Sequence, residues 1–222
     1  MLSTLAGFFR EGGTVMYVIA GTSVIAIAIA VERFYFILVR FNINGPTFMR
    51  KIQGFVEASN YERGIQLCNA VPHAALARVV KAGLVKAGQP DREIQNSVDE
   101  VALEIIPKLT KRTNFLQVIA NVATLLGLLG TIFGIIIAFK AVAEVDPSMK
   151  QEVLTKGIAI ALYTTACGLI VAIPSMLSHA LIEASTTKII DEIDEYSVKL
   201  INMMSRKNRE AAQPKKVVGI RK

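Results

Sequence analysis

Apolar residues gather in three long runs, at residues 14–31, 115–139 and 157–181, and none of the runs contains Asp, Glu, Lys or Arg. At about 1.5 Å of rise per helical residue, the 115–139 run alone reaches about 37 Å, enough to cross a bilayer with some tilt. The pattern predicts an all-α membrane protein with three transmembrane helices. The first is expected over 14–40, because the patch FYFILV extends the apolar pattern past Glu32-Arg33 to Arg40. Glu32-Arg33 itself reads as an adjacent ion pair near the headgroups, of little energetic weight. The second helix is expected over 115–143 and the third over 157–181.

Between these runs apolar residues recur every three or four positions, which is the amphipathic-helix period. Residues 41–114 therefore read as a water-soluble helical domain. Gly45-Pro46, Pro72 and Gly88-Gln89-Pro90 supply its breaks, and Ser59-Asn60 is a candidate helix N-cap. The spacing of Ile94, Val98, Val101, Ile105 and Leu109 predicts a helix that leads on into the second span, kinked at Pro107. After the third span, Ile189, Ile193, Tyr196, Leu200 and Met203 form an alternating four-three seam. The second and third helices are thus expected to extend as long helices into the helical domain, the third over 182–206. An amphipathic segment at 1–13, a turn-bearing loop at 144–156 and a basic disordered tail at 207–222 complete the expected organisation.

Composition agrees with a few spans plus a sizeable aqueous part: 52% of residues are hydrophobic, and there is no tryptophan. The formal charge is +7, but the basic residues cluster beside the apolar runs rather than in a patch with aromatics, which argues for topology and against nucleic acid. Arg40, Arg50 and Lys51 follow the first run, and Lys108, Lys111 and Arg112 precede the second, whereas the 140–156 connection has no basic excess. The positive-inside rule then places 41–114 and the C-terminal extension in the cytoplasm and the N-terminus outside. Cys68 and Cys167 form no disulfide framework, and no metal-ligand spacing involves them or His73 and His179. No nucleophile, metal or phosphate motif is present, so neither an enzyme nor a cofactor is expected.

The polar residues inside the spans carry the remaining chemistry. Gln117, Thr124, Thr131 and Ala138 recur every seven residues on one stripe of the second span. Ala123, Gly127, Gly130 and Gly134 offer close packing beside it, as do Ala161, Gly168 and Ala172 on the third span, which also holds Thr164 and Thr165. A polar stripe in hydrocarbon needs a polar neighbour or water. With no acid in either span, a titratable group has to come from another chain if this stripe serves an ion. A non-conducting scaffold, whose small residues only pack helices, is the competing expectation.

Residues 125–139, LLGLLGTIFGIIIAF, resemble the LLGLLGTVxGMIxAF pattern of the MotA/TolQ/ExbB proton-channel family, and residues 157–174, GIAIALYTTACGLIVAIP, are similar to its GIxxALxTTAxGLxxAIP. The resemblance, closest to an ExbB/TolQ-type subunit, implies a homopentamer in the bacterial inner membrane, surrounded by membrane lipid, with the second and third spans lining a pore. A dimer of a single-span ExbD/TolR-like partner would sit inside and supply an Asp. Proton flow would then drive mechanical work on envelope processes such as transport or motility. The family's pore threonines fall on Thr131 and Thr165, with Thr124, Thr164 and Gln117 as further expected pore-lining residues. Ile160 stands where ExbB and TolQ commonly carry a glutamate.

Overall fold

The computed structural model describes residues 13–212, so all but the last residue of the segment expected over 1–13, and the expected tail from residue 213 onward, lie outside the described residues. Every regular element among them is helical. Of these residues, 13–34 and 112–183 form one compact unit, and 35–111 and 184–212 form another.

The membrane unit contains three long apolar helices. Helix α1 spans Gly13–Phe34, and a π-helical stretch, Tyr35–Phe41, continues it where a single regular helix to residue 40 is expected. Helix α6 spans Thr113–Glu144, and α7 begins at Lys150 and runs unbroken to Ala212. The connection expected over 144–156 is thus shorter than its sequence suggests, because helix resumes soon after Asp146-Pro147. At the other end, helix replaces the expected tail as far as Ala212. Ile19, Ala120, Ala123, Val171 and Ala172 form a common buried cluster of α1, α6 and α7. Large apolar side chains on the remaining faces, among them Leu125, Phe133, Ile137, Leu162, Ile170 and Leu177, stay exposed, as lipid-facing residues should.

The extramembrane unit packs the helices of its first segment against the far part of α7. Asn44 caps α2 (Gly45–Glu57) by accepting from the Thr47 amide at 3.1 Å, and Pro46 sits in the first turn where its missing N–H is harmless. Asn60, the cap read from sequence, does the same for α3 (Tyr61–Ala70) through the Arg63 amide at 3.3 Å. Helix α4 (Ala75–Val85) is followed by Gly88, whose φ of +83° suits a residue without Cβ. Helix α5 covers Asp91–Thr110 and passes through Pro107 without ending there. It does not lead directly into the second span, as its periodicity suggests. Lys111 and Arg112 interrupt it, with Arg112 in the left-handed region at φ 64°.

One core closes this unit. Met49, Ile52 and Val56 of α2, Leu76, Val80 and Leu84 of α4, and Ile94 of α5 cluster with Tyr196, Leu200 and Met204 of α7. The four-three seam on α7 is therefore filled by the chain's own helices, and Met204 takes the fully buried place while Met203 packs at the edge. The far end of α7 is fastened by polar contacts: Ser205 donates to Asp91 at 2.5 Å and receives a bond from Arg209 at 2.9 Å, and Asn208 donates to the Gln89 carbonyl at 2.9 Å.

Cys68 lies in this core at 2% exposure, and burial pushes its thiol up from 9.0 to about 11. A thiol kept neutral by burial contributes stability below pH 9.0 that is lost as pH rises through the folded value. Thermal unfolding from pH 9 to 11 should show the wild type losing about 2–3 kcal/mol more than Cys68→Ala. Parallel curves for the two proteins would contradict that assignment.

Candidate pore wall and its packing

Glycines set the geometry of the second and third spans. A Cβ added at Gly168 would lie 2.7 Å from the Ala123 carbonyl oxygen and 3.0 Å from Gly127 Cα. One added at Gly127 would lie 3.3 Å from Gly168 Cα. Farther along, Gly130 faces Thr164, Gly134 faces Ala161 and Gly157 faces Ala138. The two antiparallel backbones thus touch along a continuous small-residue seam, as dispersion-driven association in lipid favours. Ala123, Gly127, Gly130, Gly134, Ala161 and Gly168 all lie in that seam, and Ala172 joins the cluster with Ile19.

The hydroxyls divide into two groups around this seam. Thr164 is 1% exposed, lies against Gly130 and donates to the Ala161 carbonyl at 2.9 Å. Within this chain it packs on the helix–helix seam. At about 100° per residue Thr164 and Thr165 flank the Ala161–Gly168 line on opposite sides, by about 50° each, and Gly130 covers the Thr164 flank. Thr165 is half-buried and donates across the helix pair to the Gly127 carbonyl at 3.2 Å. Thr131, one turn beyond Gly127, is half-buried and donates to Leu128 O at 2.5 Å; Thr124 is exposed and donates to Ala120 O at 3.0 Å.

Each of these hydroxyls spends its hydrogen on a carbonyl and keeps lone pairs free to accept. Gln117 completes the stripe by donating to Asn121 at 3.2 Å. Ala138, at the end of the same heptad series, is buried against Gly157, so the stripe runs into the seam there. Ile160 is half-buried beside Ala161. The arrangement offers hydroxyl and amide acceptors along one edge of a rigid helix pair, with no titratable group among the residues of the stripe. That edge suits a proton donor brought from elsewhere.

Sequence reasoning missed one polar contact of the membrane unit. Besides its 3.2 Å contact with Arg33, Glu32 receives two bonds from Arg112 Nη1, at 2.9 and 3.0 Å to its two carboxylate oxygens. This clamp ties the end of α1 to the start of α6. The run of Lys108, Lys111 and Arg112 before the second span was the available signal, since a basic cluster beside a lone interfacial glutamate invites pairing. Both side chains are partly exposed, so Arg112→Gln should lower unfolding stability by about 1 kcal/mol, measured by thermal unfolding in detergent. An unchanged midpoint would show the clamp to be energetically idle.

Three helices long and apolar enough to span a bilayer, two of them pressed into a glycine seam with hydroxyls along its edge, define an all-α membrane protein. The profile of the MotA/TolQ/ExbB proton channel family matches residues 71–195, more than half of the chain, and the chain belongs to that family. An ExbB homolog of Methanothermobacter thermautotrophicus is 28% identical over 204 residues, covering 91% of this chain and 69% of the relative. The biopolymer transport protein exbB1 of Vibrio cholerae is 26% identical over 186 residues, covering 82% and 79%. A solved structure of C. jejuni MotAB aligns with a TM-score of 0.65 over 94% of this chain and 88% of that one, at 17% identity, a likeness of fold.

Proposed function

We propose that this chain is the pore-forming subunit of an inner-membrane motor driven by the proton-motive force, and that it does its work as a channel rather than an enzyme. Five copies surround a dimer of a single-span ExbD/TolR-like partner, whose intramembrane Asp moves past the hydroxyl edge of the helix pair. Thr131 and Thr165 accept from that carboxyl when it is protonated and turn to donate when it is charged; Thr124 and Gln117 extend the polar edge. The flow is converted into mechanical work on an envelope process such as transport or motility. The N-terminus is periplasmic, and the extramembrane unit and C-terminus are cytoplasmic, as the basic clusters at residues 40–51 and 108–112 favour.

The observation that supports this reading most is the pairing of a hydroxyl edge with spans that hold no acid. A wall of acceptors conducts protons only past a titratable group, and an intramembrane carboxylate is costly enough to be retained for function. One feature favours the scaffold reading instead: Thr124, Thr131 and Thr164 all satisfy their hydrogens within their own helix, as packing threonines do. Vesicles separate the two readings. The chain reconstituted with a single-span partner should acidify the lumen under an imposed potential, and a partner with Asn in place of its Asp should not. Equal proton uptake with both partners, or none with either, would favour the scaffold.

A further inference from the structure

We infer that the extramembrane unit carries a binding site for an anionic phospholipid headgroup, in the cavity beside the π-helical stretch. The cavity measures about 420 Å³, within the range of small-ligand sites. Tyr35, Val39, Arg40 and Asn42 line it from one side, and Val71 and His73 from the loop between α3 and α4. No carboxylate among the described residues lines it. Among the described residues Arg40 forms no ion pair, and its guanidinium lies 4.9 Å from the centre of the Phe36 ring, which holds the cation in place without neutralising it. Helix α4 starts at the cavity's other rim with neither a side-chain cap nor an acidic residue in its first turn, so no side chain of that turn competes there for a phosphate.

The ligand chemistry shared by the possible sources is a phosphate oxyanion, and the walls select the lipid. Tyr35 and Val39 are 60% and 65% exposed, a surface suited to acyl and glycerol carbons rather than water. The stretch follows directly on the first apolar run, so its residues belong at headgroup depth, where aromatic rings and snorkelling arginines settle. A basic cavity at that depth is a recognised headgroup receptor. Arg40 supplies a charge-assisted bond to the phosphodiester, His73 and Asn42 donate further bonds, and Tyr35 and Val39 cover the glycerol. The inference rests on the membrane fold alone and stands or falls apart from proton conduction.

Native mass spectrometry of the full chain in detergent, titrated with phosphatidylglycerol, phosphatidylcholine or inorganic phosphate, tests it. The wild type should prefer phosphatidylglycerol to phosphatidylcholine, and the double variant R40Q/H73Q should lose about five- to tenfold in phosphatidylglycerol affinity. Circular dichroism and elution volume establish that the double variant is folded, and Lys51→Gln, which removes a charge elsewhere in the unit, should leave the preference intact. Unchanged lipid affinity in the folded double variant overturns the site. So does an equal loss in Lys51→Gln, or displacement of the lipid by inorganic phosphate at similar concentration.

Discussion

Gly168→Leu is expected to prevent the second and third spans from closing on each other, with loss of monodisperse folded protein from detergent extracts. The obstacle is backbone: a Cβ at Gly168 would meet the Ala123 carbonyl oxygen at 2.7 Å and Gly127 Cα at 3.0 Å, and neither can rotate away. Overpacking of a tight interior costs about 1–3 kcal/mol where side chains can yield, and this site lies at or beyond the upper end. Gly157→Ala provides the contrast. Its new methyl would lie 2.1 Å from Ala138 Cβ and 2.9 Å from Ala138 Cα, so Ala138→Gly in the same chain should restore part of the lost thermal stability, the backbone contact remaining. No single side-chain truncation should rescue Gly168→Leu. Recovery through such a truncation would show that the helices have room to slide.

Thr131→Val and Thr165→Val should each cut proton flux by about ten- to a hundredfold with subunit assembly intact, which is the loss expected when one hydrogen bond to a charged carboxyl disappears from the conducting step. Valine matches threonine in shape, so the helix pair keeps its seam. Thr165→Val also gives up the bond to the Gly127 carbonyl and should unfold slightly earlier, by about 1 kcal/mol, while Thr131→Val should not. Thr164→Val is the internal control, since its hydroxyl is enclosed against Gly130 and bonds only its own turn. Flux readings for reconstituted vesicles, normalised to assembled complex, decide the point: full flux through the Thr131→Val, Thr165→Val double variant removes both residues from the ion route.

The spans, their small residues and the short capped helices were legible because each rests on a local signal. An uncharged run of bilayer length, a glycine every three or four positions and an Asn ahead of an amphipathic turn all speak within one stretch of chain. What was not legible depends on φ or on partners distant in sequence. The break at Lys111-Arg112 carries neither Gly nor Pro, and the apolar period runs straight through it, so only the left-handed dihedral of Arg112 marks the end of α5. Pro107, the louder signal, leaves the helix intact. Its place beside Thr165 in the third span put Thr164 among the expected hydroxyls, but a linear reading cannot say which flank of the helix its neighbour takes; the approach of Gly130 decides that. Glu32 and Arg112 lie eighty residues apart, and nothing in a linear reading joins them.

The split composition of the extramembrane core has a consequence for biogenesis. Leu76, Leu84 and Ile94 share their interior with Tyr196, Leu200 and Met204, which leave the ribosome about a hundred residues later. At translation speeds of about 5–20 residues per second, that apolar face stays uncovered for on the order of ten seconds while two spans are still being inserted. Nascent chains halted before residue 196 should therefore recruit holding chaperones and be cut readily by protease between α2 and α5, and release of the finished polypeptide should end both.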